Sequence, residues 1–154
     1  MCIRDRVTYV NAPLIAEERG IKLREAKITS EGNFSSLVTL IVKSETGEFA
    51  ISGSIFGTKQ PRFTKLNEHI IDVIPDGNVL IIENDDKPGV IGLLGNALGK
   101  KNINIGRLYL SRKNGSTKNE SALAFISVDS PVSEETLEYI ANLSEVKSIE
   151  QVIF

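Results

Sequence analysis

The chain has 154 residues, 41% of them hydrophobic and 25% charged, with a formal net charge of -2. This is the composition of a soluble globular protein of one ordinary domain or two small ones, and its mixed charge gives nucleic acid and anionic membrane no basic face to bind. No apolar run approaches the roughly 20 residues of a membrane helix, residues 1–6 lack the apolar stretch of a secretory signal, and the expected location is the cytoplasm.

The lone Cys2 rules out an internal disulfide, and the Asn-x-Ser patterns at Asn33, Asn114, Asn119 and Asn142 read as turn residues in a chain without a secretory signal. Residues 11–20 read as a short helix, with Pro13 in its first turn, Gly20 beyond its end, and Leu14 and Ile15 facing inward. Runs of period-two character follow over 22–29, 36–43 and 48–56, the last two joined by a hairpin turn at 44–47. Gly53 and Gly57 suggest a bulge or a close backbone approach, and the basic residues Lys59, Arg62 and Lys65 come next. The Pro, Asp and Gly of the turn 75–78 mark a boundary between a β-rich half, 1–77, and a second half, 78–154.

In the second half, 79–83 is a strand that runs into the polar loop Asn84-Asp85-Asp86-Lys87 and then Pro88-Gly89. Pro88 suits the first position of a helix over 88–101, whose apolar stripe is Val90, Ile91, Leu94, Ala97 and Leu98. Gly92 and Gly95 inside it suggest close packing on a sheet, and Gly99 or Asn102 ends it. The next strand, 103–112, changes the parity of its apolar residues between Ile105 and Leu108, which calls for a bulge near Gly106-Arg107. A hairpin loop at 113–116, a strand over 121–128, a Ser133-capped helix burying Leu137, Ile140 and Ala141, and a strand over 146–154 complete the chain. The order βαββαβ is the ferredoxin-like unit, so the fold class is α+β with a four-stranded antiparallel sheet, whose open face and edge favour pairing with a second copy.

The strand-to-helix junction is a natural place for a small anion, because free N–H groups and the helix dipole face the loop. Asp85 and Asp86 either cap the helix alone or also contact a ligand; Asn104 is a turn residue or a contact. Arg107 and Arg112 read as solvated face. No G-x-G-x-x-G occurs, and Gly95 to Lys100 is one residue short of a phosphate loop and lacks its Ser or Thr. His69 is the only histidine and has no cysteine or carboxylate cluster around it, so no metal site is expected; it is a half-exposed strand residue or a ligand contact.

The block from Asn84 to Gly92, followed by Leu98-Gly99-Lys100-Lys101-Asn102-Ile103-Asn104-Ile105, resembles the opening of an ACT domain. More narrowly, it is similar to the regulatory C-terminus of bacterial D-3-phosphoglycerate dehydrogenases, NAD-dependent enzymes of serine synthesis. Val10-Asn11-Ala12-Pro13, Glu17-Glu18-Arg19-Gly20, Gly53-Ser54-Ile55-Phe56-Gly57 and Pro61-Arg62 resemble the intervening, allosteric substrate-binding domain of the long form. The resemblance covers residues 7–154 and leaves 1–6 outside it.

The resemblance implies a regulatory fragment with no catalytic residue and no cofactor of its own, NAD belonging to the parent enzyme. It implies ACT domains paired side by side in a homo-oligomer, with L-serine bound between them as feedback inhibitor. The positions carried over are Asn84, Asp86 and Asn104, with Asp86 and Asn104 for the ammonium and the amides of Gly89 and Val90, behind Pro88, for the carboxylate. For the intervening domain it implies a phosphate or anion site, for which Lys59, Arg62, Lys65 and His69 are the candidates; a further arginine of the family pattern is replaced by Val73. The alternatives are an oligomerisation module without a ligand and a sensor of a different amino acid.

Overall fold

The computed structural model describes residues 7–8, 10–27, 36–57, 59–112 and 121–154. The hairpin loop expected at 113–116, Cys2, and the Asn-x-Ser asparagines Asn33, Asn114 and Asn119 lie outside them. By its contacts the chain divides into two compact units, Met1–Asn33 and Phe34–Phe154.

The first unit carries α1, Ala12–Glu18, with Pro13 in its first turn and Gly20 in the left-handed region just after its end. Its side chains are not packed as the sequence pattern suggests: Leu14 is exposed and the helix buries no residue. Over 22–27 no strand forms, which corrects the first of the three expected runs.

The second unit holds two antiparallel four-stranded sheets. The first is a meander of β1 (Leu37–Ser44), β2 (Gly47–Phe56), β3 (Gln60–Leu66) and β4 (His69–Val73). Its register shifts at Ser52/Gly53, where a Cβ on Gly53 would meet the Arg62 carbonyl at 3.3 Å; this is the close approach that the glycine announces. The second is built from β5 (Asn78–Asn84), α2 (Val90–Lys100), β6 (Ile105–Arg112), β7 (Ala122–Val128), α3 (Glu134–Ala141) and β8 (Val146–Ile153), in the strand order β6-β7-β5-β8. The α+β class and the βαββαβ unit read from the sequence are therefore what the chain adopts.

Alternation along β5 and β7 explains how this sheet is buried on both sides. Leu80 and Ile82 of β5, with Ala124, Ile126 and Val128 of β7, meet Val90, Leu94 and Leu98 of α2 and Ile140 of α3. Val79, Leu123 and Phe125 point the other way, into a second cluster with Leu66, Ile71 and Val73 of the first sheet. The face expected to be open is thus covered in part by β3 and β4. Ser111 of β6 adds a polar tie by donating to the Ile70 carbonyl at 2.7 Å.

The bulge expected near Gly106-Arg107 is present, as a register shift between Ile105 and Arg107. It lets Ile105 pack on the helix side while later residues change parity. Two details of the helices differ from the sequence pattern. Gly92 and Gly95 have nothing within 4 Å of where a Cβ would stand, so neither mediates close helix-to-sheet packing within the chain. In α3, Ser133 caps and Ile140 is buried as expected, but Ala141 is exposed and Thr136 takes the buried position. The end of α2 is built by Asn102, which adopts φ +57 while its N–H reaches the Gly99 carbonyl at 3.0 Å and that of Ile103 reaches Leu98 at 3.1 Å. That pair of bonds is a Schellman motif, and asparagine tolerates its left-handed residue.

Candidate functional site

Strand β5 ends at Asn84, which is only 2% exposed, wedged between Ala122 of β7 and Val146 of β8. Its Nδ2 donates to the Asp85 carbonyl at 2.7 Å, and its buried Oδ1 has no hydrogen-bond partner. A buried amide oxygen in this state costs about 1–3 kcal/mol and calls for a water, an ion or a ligand group to satisfy it. Asn78 Oδ1, at the other end of the strand, is unpartnered too.

The loop then diverges from its sequence reading. Pro88 does not open the helix. It lies in a turn with Gly89, and Gly89 is the N-cap of α2, at φ +94 where a side chain is strained. A proline φ suits a turn as well as a first helical turn, and the left-handed glycine redirects the chain between them. No side chain caps α2. Asp85 and Asp86 are therefore not capping residues, in contrast to Ser133, whose side chain accepts from the Thr136 N–H. The Val90 N–H makes a long contact with the Lys87 carbonyl, at 3.4 Å, and the Gly89 carbonyl accepts from Leu93.

The two carboxylates are divided among three cations. Asp85 takes Lys87 at 2.6 Å and lies 3.8 Å from Lys147. The Lys87 hydrogen bond holds the Asp85 carboxyl below its ordinary value, and the same bond raises Lys87. Asp86 faces Arg112 at the far end of β6: Nε lies 2.9 Å from Oδ2 and 3.2 Å from Oδ1, with the Asp86 side chain 9% exposed and that of Arg112 62%. The sequence reads Arg112 as solvated face, and its side chain is largely exposed; the contact with Asp86 is added by the fold, since alternation along one strand says nothing about which loop lies beside its end.

Asn104 is elsewhere. It precedes β6, is exposed, and donates from Nδ2 to Asp129 at 2.8 Å. Across β7, Arg112 and Asn84 share the partner Ala122, while Ile105 and Asn78 share Val128. Asn104 and Asp86 thus stand at opposite ends of the sheet, about 25 Å apart at ~3.3 Å per residue. Within one chain they form no common ammonium site.

The basic residues of the first sheet do not converge either. Lys59 and Lys65 are exposed, and His69 is half-buried with an unpartnered Nδ1. Arg62 is held by both Asp72 oxygens at 2.7 Å and lies over the Phe56 ring at 5.5 Å. Of the four, only Arg62 lines a cavity of about 450 Å³ between the sheets, where it meets Asp72, Arg107, Tyr109 and Ser127. Among the described residues no group of three or more His, Cys, Asp or Glu could hold a metal ion, and no helix is long and apolar enough to cross a membrane.

Comparison with known proteins adds to this geometry. Residues 1–67 match the family described as the D-3-phosphoglycerate dehydrogenase intervening domain, a match that takes in residues 1–6 as well. The chain is 32% identical to the D-3-phosphoglycerate dehydrogenase of Archaeoglobus fulgidus over 94% of its own length and 27% of that protein. It is 32% identical to that of Synechocystis sp., over 94% and 26%, and 27% identical to that of Bacillus subtilis, over 95% and 27%. The chain thus spans about a quarter of the length of these relatives and corresponds to a C-terminal part of D-3-phosphoglycerate dehydrogenases, as the resemblance read from its sequence implies.

Proposed function

We propose that this chain, a C-terminal part of a D-3-phosphoglycerate dehydrogenase, is the cytoplasmic regulatory region that binds L-serine between paired ACT domains for feedback inhibition. The observation that carries the reading is the end of β5: an uncapped helix start, a shielded carboxylate at Asp86 and a buried amide oxygen at Asn84 without a partner. An amino acid supplies an ammonium for the carboxylate and a carboxylate for the N–H groups of Gly89 and Val90, behind Pro88. Since Asn104 stands at the other end of the sheet, it enters such a site only from a second copy, which makes a homo-oligomer part of the reading. Regulation then requires the ligand to prefer one arrangement of neighbouring copies over another.

No catalytic residue and no cofactor are assigned to this chain; NAD goes with the part of the relatives that it does not cover. The phosphate or anion site proposed for the intervening domain rests on Arg62 in its cavity, which Lys59, Lys65 and His69 do not line.

Thermal unfolding with a panel of L-amino acids tests the reading. L-Serine at about 100 times its dissociation constant should add roughly 2.7 kcal/mol of stability. A shift with another amino acid instead makes the chain a sensor of that one. No shift with any, at millimolar concentration, leaves an oligomerisation module without a ligand.

A further inference from the structure

We infer that Arg112 is the carboxylate anchor of the amino-acid site, parked on Asp86 when the site is empty; the inference rests on the effector reading given above. Three observations lead to it. Arg112 is the cation that β6 brings to the loop, eight residues along the strand from Asn104. Its contact with Asp86 uses Nε, whereas a carboxylate is best forked by the edge that also carries a terminal nitrogen. Its side chain is 62% exposed, while that of its partner is 9% exposed. The unpartnered, 2% exposed Asn84 at the same strand end supports a ligand here independently of either charge.

A zwitterionic amino acid carries the same two charges as the Asp86–Arg112 pair, in the opposite sense. It can enter the pair by giving its ammonium to Asp86 and its carboxylate to Arg112, so that one ion pair is replaced by two and neither protein charge is left alone. A carboxylate has lone pairs enough for Arg112 and for the helix N–H groups together. An amine without a carboxylate must break the pair and leaves Arg112 with nothing, and an acid without an ammonium leaves Asp86 so. The pair therefore selects amino acids over amines and over hydroxy acids. The neighbouring cations do not substitute for Arg112, since Lys87 and Lys147 are turned to Asp85.

Calorimetric titration of the full chain with L-serine, ethanolamine and 3-hydroxypropionate tests this. Wild type should bind serine at least about tenfold more tightly than either single-charge analogue, and Arg112→Met should cost serine about tenfold or more while leaving ethanolamine unchanged or tighter. Arg112→Lys should recover part of the loss. Unchanged serine affinity in Arg112→Met overturns the inference, and tighter binding overturns it in favour of Arg112 as a competitor for Asp86. A parallel loss for serine and ethanolamine together with a lowered unliganded melt overturns it in favour of a loop tether. A wild type that binds no L-amino acid overturns the effector reading itself, a result recognisable without any variant.

Discussion

At the scale of single residues, the loop after β5 is a set of charges sorted by distance. Lys87 takes Asp85 at 2.6 Å and Arg112 takes Asp86 at 2.9 Å, so two adjacent carboxylates do different work. The Asp85 pair is the local clamp and its sign is fixed: Lys87 lowers Asp85, so the stabilisation is present above the ordinary 3.8 and is lost as pH falls through the depressed value. Its other half is lost as pH rises through the elevated value of Lys87, above 10.5. In Lys87→Met, the Asp85 carboxyl followed by NMR should titrate closer to 3.8 than in the wild type; an unmoved titration would show that Lys147 or the backbone holds it instead. Both groups are solvated, so the effect on stability is that of an exposed pair and small. The sequence made the polar loop legible, but not this sorting, because Asp85 and Asp86 differ in no property except the direction in which the turn aims them.

At the scale of elements, the two helices of the βαββαβ unit begin in opposite ways. Ser133 closes α3 by accepting from Thr136, whereas α2 starts on a left-handed glycine with no side-chain cap. Ser133→Ala should cost about 1 kcal/mol of stability, measured by denaturant unfolding. Asp86→Asn, at the start of the other helix, should cost less than that, because only a partly exposed ion pair is weakened and no cap is lost; an equal cost would make Asp86 structural. The strands and helices of the second half, β1 and β2, the Ser133 cap of α3 and the bulges at Gly53 and Gly106 were legible, since each leaves a trace in alternation or in a residue type that a special backbone conformation needs. The run at 22–27 forms no strand, and β3 was missed because only Phe63 and Leu66 of its seven residues are strongly apolar. The first turn of α2 was misread because Pro88 fits a turn and a helix start alike. Gly92 and Gly95 were misread for a related reason: small residues show that something can approach, not from which side, and here the near side is open.

At the scale of the molecule, topology decides what one chain can bring together. Strands β5 and β6 run in the same direction, joined by α2 as a crossover, so the end of the first and the start of the second lie at opposite ends of the sheet. This was already implicit in the order βαββαβ, and it separates Asp86 from Asn104 whatever their chemistry. If both contact one ligand, two copies must share it, and a two-fold pair then holds two sites, each with the Asp86 loop of one copy and the Asn104 of the other. Asp86→Ala and Asn104→Ala alone should each abolish the calorimetric signal of L-serine. Mixed and allowed to exchange, they should regain about a quarter of the wild-type capacity, since half of the pairs are mixed and each of those carries one intact site of two. The recovered sites should have wild-type affinity, because both of their contacts are native. A site built within one chain gives a different result: every chain in the mixture then carries a defect, and the mixture binds no more serine than either variant alone.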